Sequence, residues 1–131
     1  MARFTVVLST AVLVVLAGIE LVASGCGNNS PRLLQSVSVN PATADARTFP
    51  NGQLQFTAAG IYSAPPSPSP ITQPGWSLSN PSIATINENG LAQCNPGASG
   101  AVTVKASTPG SCSGTGCTAV LLLGTAQLSC P

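Results

Sequence analysis

From Gln35 onward, apolar side chains recur at every second position in short runs separated by turn-forming residues, and few folds are open to a chain patterned this way. Side chains of an extended strand point alternately to opposite faces, so each run offers one apolar face and one polar face. Val37 and Val39 alternate with Ser36 and Ser38, Leu54, Phe56 and Ala58 with Gln53, Gln55 and Thr57, and Trp76 and Leu78 with Ser77 and Ser79. Ala84 and Ile86 continue the series, then Val102, Val104 and Ala106 against Thr103 and Lys105, and finally Val120, Leu122, Ala126 and Leu128. No stretch of this region carries a helical period. Turn signals fall between the runs at Asn40-Pro41, Pro50-Asn51-Gly52, Asn80-Pro81, Asn89-Gly90, Asn95-Pro96-Gly97 and Pro109-Gly110. The spacing predicts an all-β sandwich of two antiparallel sheets with about seven strands.

One segment breaks the rhythm. Tyr62 to Gly75 carries five prolines in fourteen residues. Proline has no amide hydrogen to give to a ladder, so this segment is expected to be an extended, polyproline-like loop outside the sheets, between the second and third strands. It is either a stiff surface connection or a segment displayed to a proline-reading partner or carrying glycans.

The first residues have a different character. Arg3 is followed by an uncharged apolar run from Phe4 to Ile19, and Glu20 ends it. That run is shorter than the roughly 20 residues that span a bilayer, and it matches the core of an export signal. Small residues then lead into Cys26. The stretch Leu21-Val22-Ala23-Ser24-Gly25-Cys26 resembles a bacterial lipobox, whose cysteine becomes the new N-terminus and is acylated. This resemblance implies a signal peptide over 1–25 and lipid on Cys26 that holds the chain to a membrane; polar residues then suggest a tether over 26–34, and the remaining length suits one domain over 35–131. Ordinary cleavage at the same bond and an uncleaved anchor are the alternatives. Gly27 stands where lipoproteins retained in the inner membrane usually carry aspartate, so the resemblance points to an exported protein of the cell envelope, at the outer membrane.

Beyond residue 25 the ionisable side chains other than cysteine and tyrosine are Arg32, Arg47, Lys105, Asp45 and Glu88, and the chain has no histidine. Nucleic-acid binding needs a basic face, which this inventory does not supply. A hydrolase needs a nucleophile with a positioned base, and two scattered carboxylates with one lysine offer none. The chain is therefore expected to be non-catalytic, with no cofactor and no metal centre. Asn87-Glu88-Asn89-Gly90 has a faint likeness to a calcium loop, but one carboxylate beside Asn-Gly is more simply a turn.

Four stretches carry a second resemblance: Ser36-Val-Ser-Val-Asn-Pro-Ala-Thr-Ala44, Gly52-Gln-Leu-Gln-Phe-Thr-Ala58, Trp76-Ser-Leu-Ser-Asn-Pro-Ser-Ile-Ala-Thr-Ile86 with Asn89-Gly-Leu91, and Gly100-Ala-Val-Thr-Val-Lys-Ala106. In order and spacing they resemble bacterial Ig-like domains of group 2, over about residues 35 to 107. The sequence departs from that pattern in the proline loop and in the cysteine-rich tail from Pro109 to Pro131. The resemblance implies an immunoglobulin-like sandwich with Trp76 in its core, where its place on an apolar face also puts it; Phe49 and Phe56 are expected in the core as well. It further implies a structural or adhesive role towards a surface protein or a glycan. A small carbohydrate-binding module is the alternative, although such modules expose sets of aromatics and this chain has one Trp and one Tyr.

Five cysteines leave one over in an oxidising compartment, and lipid on Cys26 leaves four to pair. Four cysteines allow three pairings. If the last three strands alternate in direction, Cys94 and Cys130 share one pole of the sandwich while Cys112 and Cys117 share the other, which predicts Cys94 with Cys130 and Cys112 with Cys117. Zinc is the rival use, but the intervals of 17, 4 and 12 residues between neighbours contain no CxxC knuckle. A redox pair at Cys112 and Cys117 has no flanking cation to activate a thiol.

Overall fold

A computed structural model of the chain describes residues 31–111, 116 and 118–131. The expected signal segment over 1–25, Cys26, Cys112 and Cys117 lie outside the described residues. Within them the chain folds as strands β1 (Leu34–Asn40), β2 (Thr43–Asp45), β3 (Gln53–Gln55), β4 (Thr57–Tyr62), β5 (Ser69–Pro70), β6 (Gly75–Leu78), β7 (Ala84–Ile86), β8 (Leu91–Cys94), β9 (Gly100–Pro109) and β10 (Leu121–Cys130), with two single-turn 3-10 helices between β2 and β3.

These strands make two layers. One sheet has the order β2-β10-β9-β6, and two three-stranded sheets have the orders β1-β4-β5 and β3-β8-β7. Only Phe56 separates β3 from β4, and its amide donates to the Gly90 carbonyl at 2.8 Å. The two smaller sheets are therefore halves of a single layer that shares one long, interrupted strand. Taken in chain order, this is the strand arrangement of an immunoglobulin-type sandwich. One pairing is parallel, that of β2 with β10 over Thr43–Asp45 and Gln127–Ser129. The chain leaves the first layer at the end of β1 and joins the second without reversing, so β2 has to run alongside β10 in the same direction.

The core is what the alternation requires. Val37, Val39, Leu54, Phe56, Ala58, Ala84, Val102, Val104, Ala106, Ala126 and Leu128 are all buried, with Phe56 and Leu128 the largest side chains fully withdrawn from water. Every second residue along β10 from Gly124 to Cys130 is buried and its neighbours are exposed, as one face against a facing sheet dictates. Trp76 and Leu78 pack against this core but remain half-buried, because β6 is the last strand of its sheet.

Three expectations need correction. Phe49 is 36% exposed and outside the core, since it joins the two 3-10 turns, where no facing sheet covers it. Val120 has the parity of the inward residues of β10 yet is 65% exposed, because it lies before the strand begins, beyond the end of the facing layer. The proline segment is not wholly outside the sheets: Ser69 and Pro70 pair with Gly60 and Ala59 of β4. A two-residue edge pairing leaves the proline nitrogen pointing away from the ladder, where its missing hydrogen costs nothing.

The turn after β7 shows how closely its sequence is specified. Gly90 has φ +81°, and a Cβ built there would lie 2.5 Å from the Phe56 carbonyl oxygen and 2.9 Å from the Trp76 ring. Gly97 has a similar φ of +74° with nothing within 4 Å. Gly97→Ala therefore carries only the left-handed backbone cost of about 1–2 kcal/mol. Gly90→Ala adds the clash, for a total of about 2–4 kcal/mol. Thermal denaturation of the two variants side by side measures the difference, and equal melting shifts would contradict the packing at Gly90.

Candidate interaction surface

The sandwich has two distinct poles. At one, Cys94, the last residue of β8, is bonded to Cys130, the last residue of β10, with their Cα atoms 5.8 Å apart. The bond ties one layer to the other across the core. Beside it lies an open depression of about 420 Å³ lined by Asn51, Gly52, Gln93, Cys94, Asn95 and neighbouring residues up to Pro131. None of those side chains is charged, so what they offer is shape and amide groups.

The opposite pole is where the described chain begins. The guanidinium of Arg32 sits over the Tyr62 ring, 3.5 Å from its centroid. Its Nε donates to the Ala64 carbonyl at 3.2 Å, and its Nη2 donates to the Pro66 carbonyl and to Ser69 Oγ. The planar guanidinium can lie over a ring while its in-plane N–H groups donate to carbonyls, an arrangement that suits arginine. The adjacent backbone joins in: the Ser63 amide donates to the Leu33 carbonyl, and the Leu33 amide to Ser63 Oγ, both at 2.9 Å. Arg32 thus fastens the proline loop to the segment entering β1.

Among the described residues, the same pole carries the most exposed large aliphatic side chains. Val120, Leu121 and Leu123 are 65%, 59% and 58% exposed. Leu121 and Leu123 face outward from β10, opposite Pro109 and Ser107 of β9.

The remaining ionisable groups are dispersed over the exposed surface of the described residues. Asp45 Oδ1 accepts from the Arg47 amide at 2.9 Å and caps the first 3-10 turn. Asn87 Oδ1 accepts from the amides of Asn89 and Leu91, both at 3.0 Å, so the Asn87–Gly90 stretch is a side-chain-braced turn and its oxygen is already used. Glu88 is exposed on it. Among the described residues no three His, Cys, Asp or Glu side chains converge.

The structure joins Cys94 to Cys130, whereas Cys26, Cys112 and Cys117 fall outside the described residues. Sequence reasoning missed Arg32, which it placed in a plain polar tether; nothing local marks an arginine whose partners lie some thirty residues away. It also missed the exposed leucines, for which a signal existed: Val120-Leu121-Leu122-Leu123 is apolar at four successive positions, so one strand face had to show aliphatics to water. Comparison with known proteins finds no family model that matches the chain and no curated protein similar to it.

Proposed function

We propose that this chain is a lipid-anchored bacterial cell-envelope protein whose single Ig-like domain, of the group 2 type, has a structural or adhesive role and no catalytic one. The observation that carries this reading is the Cys94–Cys130 bond between the layers. Structural disulfides persist in oxidising compartments, so the bond supports export. Export in turn gives meaning to the apolar run from Phe4 to Ile19 and the lipobox-like Ala23-Ser24-Gly25-Cys26. A non-catalytic role is supported by the dispersion of the charged groups among the described residues.

The partner is a surface protein or a glycan. The carbohydrate-binding alternative gains nothing from the aromatics, since Trp76 packs on the core and Tyr62 is covered by Arg32. Intact mass spectrometry of membrane and soluble fractions tests the proposal. The expected species is membrane-bound, begins at Cys26, carries the mass of acyl chains and has no free thiol. A soluble species starting at Cys26 without added mass would replace lipidation by plain secretion. An uncleaved species with reduced cysteines would remove export altogether.

A further inference from the structure

We propose that Val120, Leu121 and Leu123, at the foot of the β9–β10 hairpin, rest in the surface of the lipid bilayer to which the chain is tethered. The inference builds on the lipid-anchor reading above and adds an orientation and a contact that this reading does not contain.

The aliphatics and the start of the described strands share one pole. A Cβ at Gly124 of β10 would lie 2.8 Å from the carbonyl oxygen of Val37 in β1, so the backbones of these two strands approach closely at that point. Farther on, the Gln127 amide donates to the Ala42 carbonyl at 2.9 Å, and Thr43–Asp45 run parallel to Gln127–Ser129. The segment from β1 to β2 therefore tracks β10 in the same direction. Three residues before Val37 stands Leu34, and three residues before Gly124 stands Leu121. The domain thus begins at the end where Leu121 and Leu123 are exposed.

Arg32 is six residues after Cys26, and its side chain is fastened to the proline loop. Six residues extend at most about 21 Å, so lipid on Cys26 keeps Arg32 within that distance of the membrane. The opposite pole, with Cys130, is farther by the length of β10, ten residues or about 33 Å. An anchored molecule therefore presents the aliphatic end to the bilayer, while the disulfide end can lie beyond the tether's reach.

Along the outward face, Leu121 lies opposite Pro109 and Leu123 opposite Ser107, followed by Thr125 opposite Lys105. Apolar side chains stand at the end and a cation stands two residues further in. That sequence matches a bilayer surface, where hydrocarbon lies under charged headgroups, and interfacial contacts of this kind add the second attachment that fixes an anchored protein's orientation. Asp45 is kept away at the other end, opposite Ser129.

The test uses the full chain, processed in cells and reconstituted into phosphatidylethanolamine and phosphatidylglycerol vesicles with brominated acyl chains. Leu123→Trp places a quenchable ring in the patch, and Ala101→Trp places one on the same outward face at the opposite pole. Both positions are exposed, and unchanged far-ultraviolet spectra establish folding before reconstitution. The expected result is flotation of both variants with vesicles and loss of about half of the added fluorescence for Leu123→Trp alone, as for a ring at the headgroup and acyl boundary. Flotation with no quenching at position 123, or with equal quenching at both positions, overturns the contact and leaves the anchor standing. Flotation with no quenching and a dimeric mass in sedimentation overturns it in favour of a second copy covering the patch. Failure to float, with no acyl mass on Cys26, overturns anchor and contact together.

Discussion

Replacing Cys94 and Cys130 together by alanine is expected to lower folding stability by about 4 kcal/mol, because the bond closes a span of 36 residues. A cross-link of that span removes loop-closure entropy from the unfolded chain, and the gain grows only slowly with length. Domains of this size have about 5–15 kcal/mol in total, so the loss takes a large share of what holds the sandwich together. In a thermal melt the midpoint should fall by roughly 15–30 °C, at about 4–8 °C per kcal/mol for a domain near this length. The bond also has a local role. It joins the ends of β8 and β10, which belong to different layers, so its loss lets that pole open before the rest. Hydrogen exchange should then rise first at Leu91–Cys94 and Ala126–Cys130. A double variant that melts with the wild type would mean that these cysteines are not joined in the native protein.

Phe56→Ala should be comparably damaging, at about 3–5 kcal/mol. The side chain is 1% exposed and lies at the single residue between β3 and β4, where the two halves of the first layer meet. Truncation leaves a cavity that rigid sheets on both sides cannot close, so the transfer loss and the cavity cost add. Its amide bond to the Gly90 carbonyl survives the substitution, which confines the effect to packing. Phe49→Ala removes the same atoms at a position 36% exposed and should stay within about 1 kcal/mol. Urea unfolding of both variants measures the contrast, and equal midpoints would contradict the placement of either ring.

The alternation was legible wherever a strand has one covered face, because the period of two is a local property of extended backbone. It failed at Val120, which keeps the period but extends past the facing layer, and at Phe49, an apolar side chain in a turn. Both errors have one origin: periodicity says which way a side chain points and not whether anything stands opposite. The segment expected as a loop over Tyr62 to Gly75 begins in β4 and ends in β6, and its short pairing with β4 lies beside the bonds of Arg32 to Ala64, Pro66 and Ser69. Those partners are distant in sequence, so no window around Arg32 contains the clamp.

Sequence alone determined the strand class, the turn positions and the inward-facing residues within the strands, since each follows from backbone geometry and solvent within a few residues. Tertiary structure alone decided that β1 begins beside Leu121, that Gly124 admits the Val37 carbonyl, and that the two poles differ, one covalently closed and one aliphatic. Those facts depend on which strands from distant parts of the chain come to lie side by side, and pairing across that separation is set by the packing of the whole core rather than by any residue's neighbours in the chain.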